Sequence, residues 1–185
     1  KRLDAGETAD VLILGAGVDH GSGGDGDDWV EGGDGPDWLF GGSGNDVLIA
    51  NNHGDDIETA PPPGSPSVRD SLFGNEGEDL LIGSHFADHL EGGGESDWIV
   101  AGAGNDTVDA GDGDDSIFGG GGQDSIAGGS GNDEIHAGPG VDTLHGQDGD
   151  DILHAGDDTT DLFGGTGNDT LIGIGFFDRL AGGPG

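Results

Sequence analysis

An aliphatic side chain returns at every ninth residue along most of this chain. Aligned on it, the sequence divides into nonads from Ala5 to Glu58 and again from Ser65 to Ala181, 19 in all. Place eight is Leu, Ile or Val in 18 of the 19, Gly21 being the exception. Place six is Asp in 18 of the 19, Thr160 being the exception, and Gly dominates places one, two and four. Nine residues are too few for a helical hairpin, and glycine at this density disfavours helix. The pattern predicts a short β-strand over places seven to nine, with one inward aliphatic between two outward residues, and a glycine turn over places one to six.

Two strand–turn units close one coil of 18 residues, and stacked coils pair their strands in parallel about 4.8 Å apart. The expected fold is all-β, a right-handed parallel β-solenoid of about nine and a half coils and ~45 Å in length. Its core would be a double column of place-eight side chains, among them Leu39, Leu48, Ile99, Val108, Ile117, Ile126, Ile135, Leu144 and Leu153. Such a core is thin. One buried aliphatic contributes ~1.5–3 kcal/mol, whereas ordering each backbone unit costs ~1–2 kcal/mol. Another source of stability is required.

Charge points to it. The chain carries 39 Asp plus Glu against four Lys plus Arg, a formal net charge of -35. This sign excludes nucleic acid as a partner, and self-repulsion opposes a compact state unless counter-ions bind. Stacking also sets place-six carboxylates 18 residues apart over one another, as for Asp28 and Asp46. A divalent cation between successive turns resolves both problems. Carboxylates and glycine-turn carbonyls are hard oxygen ligands on a flexible loop, which suits Ca²⁺ better than Zn²⁺ or Mg²⁺. There is no Cys, so neither a disulfide nor a thiolate site is available, and no apolar run approaches a membrane span.

The nonads GGSGNDVLI from Gly41, GGSGNDEIH from Gly128 and GGTGNDTLI from Gly164 resemble the consensus of the RTX (repeats-in-toxin) Ca²⁺-binding nonapeptide. The resemblance covers nearly the whole chain. It implies a parallel β-roll that folds on binding Ca²⁺, and a secreted, extracellular or cell-surface protein exported by a type I system. Carried over place by place, it assigns the metal ligands to Asp28, Asp37, Asp46, Asp97, Asp106, Asp115, Asp124, Asp133, Asp142, Asp151 and Asp169. The accompanying turn carbonyls lie near Gly24, Gly26, Gly42, Gly44, Gly102, Gly104, Gly111, Gly113, Gly120, Gly122, Gly129 and Gly131. About ten ions are expected once degenerate turns are discounted. Thr160 should spoil sites shared with Asp142 and Asp178. Asp55 and Asp70 follow poor turns, and the register near Asp55-Asp56 is open to a slip of one.

Three irregularities divide the array. The Pro-rich stretch 59–64 cannot continue a ladder and reads as a surface loop between array 1 (1–58) and array 2 (65–185); the alternative is a hinge between two rods. The segments from Asp10, Asp79 and Asp169 are variants of one another, with Phe86 and Phe176 at place four in the latter two. A Phe there suggests a turn packed apolarly in place of an ion, and the repetition suggests two arrays and the start of a third in a piece of a longer protein.

No H-E-x-x-H or G-x-S-x-G motif occurs, so no enzyme activity is expected within the chain. His136, His145 and His154 fall at place nine, outward on strands; they read as solvated residues or, alternatively, as a Zn²⁺ or Ni²⁺ ladder. One outward face is distinctly apolar, with Leu80, Ile82, Trp98, Val100, Phe118, Ile152 and Ile172, and is the candidate contact surface. It also motivates the alternative reading, a surface-layer, adhesin or filament protomer assembling head to tail or laterally. An ice-binding surface would need a regular outward Thr or Asn array, and place three varies too much for one.

Overall fold

In the computed structural model, residues 1–50, 69–175 and 177–185 are described. They form two parallel sheets that the chain visits alternately. The ten-stranded sheet contains β1 (Arg2–Gly6), β3 (Asp19–Asp25), β5 (Asp37–Ser43), β7 (Ser71–Glu76), β9 (His89–Gly94), β11 (Thr107–Asp112), β13 (Ser125–Ser130), β15 (Thr143–Asp148), β17 (Asp161–Thr166) and β19 (Arg179–Ala181). The nine-stranded sheet contains β2 (Val11–Ile13), β4 (Trp29–Glu31), β6 (Val47–Ile49), β8 (Leu80–Ile82), β10 (Trp98–Ala103), β12 (Ser116–Gly121), β14 (Glu134–His136), β16 (Ile152–His154) and β18 (Thr170–Ile172). Each strand pairs with the one a coil away in a register of 18 residues, as in Ile99↔Ile117 and Val108↔Ile126. This is the two-nonad coil of a β-solenoid. No helix among the described residues is long and apolar enough to cross a membrane.

The core is the narrow double column that the period requires. Leu39, Leu72, Leu90, Leu144 and Leu162 from one sheet, and Val30, Leu48, Leu81, Ile99, Ile117, Ile135 and Leu153 from the other, are fully buried. Small residues at place one, including Ala101, Ala110 and Ala137, complete it. Gly21 leaves a gap at place eight, and Leu14 fills it: a Cβ on Gly21 would lie 2.9 Å from Leu14 Cδ1 and 3.0 Å from Val30 Cγ1.

All strands of the ten-stranded sheet but β19 are longer than the expected three residues. Six of them run from place seven through place three, so that Gly111 pairs with Gly129 and Asp112 with Ser130 inside the ladder. Positive φ at place two, from glycine in four of these strands and from Asn75 and Gln147 in β7 and β15, lets the backbone bend towards the next turn while its amide still reaches the neighbouring coil. The true turn is therefore confined to places four to six.

At one position the step changes. Trp38 pairs with Ser71 and Leu48 with Leu81, a step of 33 in place of 18. Asp55 and the 59–64 loop themselves lie outside the described residues. Both sheets keep their strand order across this point.

Two adjacent glycines separate the roles of backbone angle and space. Gly120 has φ +97° and a Cβ there would lie 1.9 Å from the Gly102 carbonyl oxygen, whereas a Cβ on Gly121 would meet nothing within 4 Å. Gly120→Ala is expected to destabilise the folded roll by at least about 2 kcal/mol and Gly121→Ala to leave it nearly unchanged. Denaturant unfolding in saturating Ca²⁺ measures both, and equal stabilities would contradict the assigned turn geometry.

Candidate metal centre

The place-six aspartates line the two edges of the roll in two columns. One column holds Asp10, Asp28, Asp46, Asp79, Asp97, Asp115, Asp133, Asp151 and Asp169. The other holds Asp19, Asp37, Asp70, Asp88, Asp106, Asp124, Asp142, Thr160 and Asp178. Within each column one carboxylate oxygen has a fixed duty. Oδ1 of each Asp accepts the backbone N–H of the place-six residue one coil earlier, at 2.7 Å for Asp28 N to Asp46 Oδ1 and 2.9 Å for Asp115 N to Asp133 Oδ1. The same bond joins Asp19 to Asp37, Asp106 to Asp124 and Asp124 to Asp142. The carboxylates are thereby held side-on in register, each locked by the coil beneath it.

The second oxygen has no such partner. Oδ2 of Asp28, Asp46, Asp79, Asp97, Asp115, Asp133, Asp151 and Asp169 in the first column is buried without a hydrogen bond, as is Oδ2 of Asp19, Asp37, Asp70, Asp106, Asp124 and Asp142 in the second. A buried carboxylate oxygen left unpaired is costly. Fourteen in two files cannot be random faults of packing; they require a cation or a proton. Burial, partly offset by the backbone N–H bond, pushes the following acids up from the ordinary 3.8. Asp37, Asp46, Asp115 and Asp142 rise to about 6. Asp70, Asp79, Asp97 and Asp133 rise to about 7, and Asp106 to about 8. Asp124 and Asp151 shift the same way.

The turn above each carboxylate supplies further oxygens. By the ladder rule the amide at place seven bonds the place-six carbonyl one coil earlier, as in Trp98 N to Asp79 O at 2.9 Å. The amide at place five breaks this rule and takes a side chain instead: Asn45 N donates to Asp27 Oδ1, Asn132 N to Asp114 Oδ1 and Asn168 N to Asp150 Oδ1. The donor that would have gone to a place-four carbonyl, such as Gly26, Gly44, Gly104, Gly113, Gly122 or Gly131, is thus diverted. Place-two carbonyls such as Gly24, Gly42, Gly102, Gly111, Gly120 and Gly129 stand against the next coil: the Gly102 oxygen would lie 1.9 Å from a Cβ on Gly120 and the Gly111 oxygen 2.0 Å from one on Gly129. The edges thus offer carboxylate and turn-carbonyl oxygens, hard donors of the type suited to Ca²⁺.

A scan against protein-family models matches the RTX calcium-binding nonapeptide repeat (4 copies) at residues 22–57, 69–90, 91–126, 127–162, 154–173 and 163–185. The chain belongs to this RTX family. A search of curated proteins gave no match. The family's repeats bind calcium, and the RTX nonads here are the elements that carry the two carboxylate files.

Not every RTX turn in the chain is built alike. At Asp88 the Oδ2 is satisfied from within the protein: the Ser84 amide and hydroxyl both donate to it at 2.7 Å, and the Phe86 amide donates to Ser84 Oγ at 3.1 Å. The turn expected to close by apolar packing around Phe86 closes instead on a serine hydroxyl, because a buried carboxylate needs donors that Phe cannot supply. In the related segment Oδ2 of Asp178 accepts the Gly175 amide at 2.8 Å; Phe176 lies outside the described residues. Thr160 donates its amide to Asp178 Oδ1 and keeps its buried Oγ1 unpartnered.

Asp70, discounted from sequence because of its turn, is fully buried and takes its full place in the file, with Oδ1 on the Asp37 amide. Asp19 and Asp79 also carry the unpartnered oxygen although neither was among the expected ligands; their phase alone would have found them. The place-five ladder was also missed. Its signal was present in the alternation Asp114, Asn132, Asp150, Asn168, in which each Asn amide group donates to the Asp before it at 3.1 Å.

Acid should substitute for the ion. A raised carboxyl pKa makes the cation-free fold most stable below 3.8 and removes that stability as pH climbs through about 6 to 8. In chelator, the β-sheet circular dichroism signal is expected to grow as pH falls from 8 towards 4, while the Ca²⁺-loaded protein holds a constant signal between pH 6 and 8. A chelated protein that loses structure on acidification would contradict the assignment.

Proposed function

We propose that this chain is a non-catalytic β-roll segment of a secreted protein, folded outside the cell by Ca²⁺ and serving stability, spacing or export. The observation that supports this reading is the double file of buried carboxylate oxygens without protein donors. Neighbouring members that both carry such an oxygen number seven in the file containing Asp28 and four in the file containing Asp37. We take these eleven junctions as the ion sites, each held by Oδ2 atoms and turn carbonyls of two successive coils. Among them are Asp28 with Asp46, Asp97 with Asp115, Asp106 with Asp124, Asp133 with Asp151 and Asp151 with Asp169. Each ion supplies +2 against a chain of -35, so that occupancy and compaction are linked. In this reading arrays 1 and 2 act as one rod through the shared sheets. Far-UV circular dichroism in EDTA, followed by Ca²⁺ titration, tests it: the expected outcome is a disordered spectrum converted cooperatively to a β-sheet one. Retention of the β spectrum at neutral pH under chelation would reject it.

A second reading has its own observation. On the outer face of the nine-stranded sheet Trp98, Ile152 and Ile172 are exposed, Trp98 by 50%, and Leu80, Ile82, Val100 and Phe118 lie half-buried beside them. Such a stripe suits lateral packing between rolls, as in a surface layer or filament. Sedimentation velocity in Ca²⁺ is expected to give concentration-dependent association that Trp98→Ser abolishes; a monodisperse monomer at high concentration would exclude this role.

A further inference from the structure

We propose a second, chemically distinct metal site on the outer face of the nine-stranded sheet, where Glu134, His136 and His154 bind a late first-row divalent cation of the Zn²⁺ class. These three residues stand at places seven and nine of β14 and at place nine of β16, away from the turns that carry the aspartate files. Glu134 and His136 are two residues apart on one strand and so share its outer face. His154 is the register partner of His136 on the next coil. Ladder pairing therefore sets two imidazoles directly above one another and places one carboxylate beside them.

The distances are close to those of a bound state. His136 Nε2 lies 2.9 Å from Glu134 Oε1, His154 Nε2 lies 4.0 Å from the same oxygen, and the three ligand atoms fall within 4.8 Å of one another. Two ligands on one tetrahedral Zn²⁺ sit about 3.3 Å apart, given metal–ligand bonds of about 2.0–2.2 Å. Closing the set requires the two imidazoles to turn out of their parallel stack so that both Nε2 lone pairs, which lie in the ring planes, converge on one ion, and the solvent side leaves room for this, the three side chains being 31–53% exposed.

The rings are held next to one another by stacking. The His136 ring is stacked on Phe118 at 4.9 Å and 3° and on His154 at 4.3 Å and 5°. The register neighbour of His154 on its far side is Ile172. An aromatic ring and an aliphatic chain thus border the imidazole pair, and the strand neighbours Ser116, Ile152 and Thr170 bring no cation to compete for Glu134.

Ligand chemistry separates this site from the turn sites. Two imidazole nitrogens favour Zn²⁺, Ni²⁺ or Cu²⁺ over Ca²⁺, which takes six to eight hard oxygens. The other face offers a control. His89 also pairs with its neighbour Glu91, at 2.8 Å, but its register partners are Ser71 and Thr107, and no second imidazole joins it. His145 stacks on Phe163 alone. Because the cation would bridge β14 and β16, it would clamp two successive coils at mid-face.

The full chain, folded in excess Ca²⁺ without chelator, is titrated with ZnCl₂ by isothermal calorimetry. The expected result is a single Zn²⁺ site that rising Ca²⁺ does not displace. His136→Gln and His154→Gln should each weaken it by at least about tenfold, a loss at or beyond that seen on removing outer-shell groups. His89→Gln and His145→Gln should leave it unchanged, and circular dichroism in Ca²⁺ should show all four variants folded. Imidazole ¹⁵N shifts of the unaltered protein should move at His136 and His154 and at no other histidine. Absence of Zn²⁺ uptake, displacement by Ca²⁺, or equal affinity in the His136→Gln and His154→Gln variants would each overturn the site.

Discussion

A carboxylate with one oxygen tied to a backbone amide and the other left bare is the constraint on which the whole roll depends. Asp133 shows its form: Oδ1 on the Asp115 amide, Oδ2 buried without a donor. The first bond fixes the stacking of coils, since it joins the place-six residues of successive coils, at a separation of 18 residues and also across the longer step of 33. The second oxygen, buried without a donor, leaves that stacking in need of a cation or a proton. The aliphatic column alone is one side chain wide per sheet, too little apolar surface to order so many glycines. Packing in this fold is a matter of register more than of volume, and electrostatics decides whether the register forms.

The two edges of the roll are not copies of one another. The file containing Asp28 continues from Asp28 to Asp169 without a break in its unpartnered oxygens. The file containing Asp37 is interrupted at Asp88, where Ser84 donates twice, and again at Thr160. Asp88 shows that a side-chain hydroxyl can do locally what an ion would do elsewhere, at the cost of a residue larger than glycine at place two. One edge is thus uniform, and the other alternates between ion-dependent and self-sufficient coils.

Much of this was legible in the sequence because a nine-residue period leaves few structural solutions. The place-eight column, the outward tryptophans and the place-six files follow from phase alone. What escaped has physical reasons. The extension of β13 through Ser130 was hidden because glycine at positive φ was read as turn, although its amide still reaches the ladder. Asp70 was discounted because its upstream turn looked poor, yet its burial depends on the coils above and below it. Leu14 filling the space left by Gly21 is a compensation across seven residues that periodicity averages away. Ser84 could not be assigned from type alone, since serine at place two donates to the carboxylate only when the loop brings it within reach.

The register of 18 also sets how the chain meets itself. Ladder partners stand 18 residues apart, or 33 across the single longer step, so the common separation is about one-tenth of the chain length, close to the ~0.07–0.12 relative contact order of helical bundles. Parallel sheets ordinarily demand long loop closures before any contact forms. Here every closure but one is the same short 18 residues, so the entropic barrier does not grow with length. Repeat folds of this kind can nucleate at any well-formed coil and propagate to its neighbours.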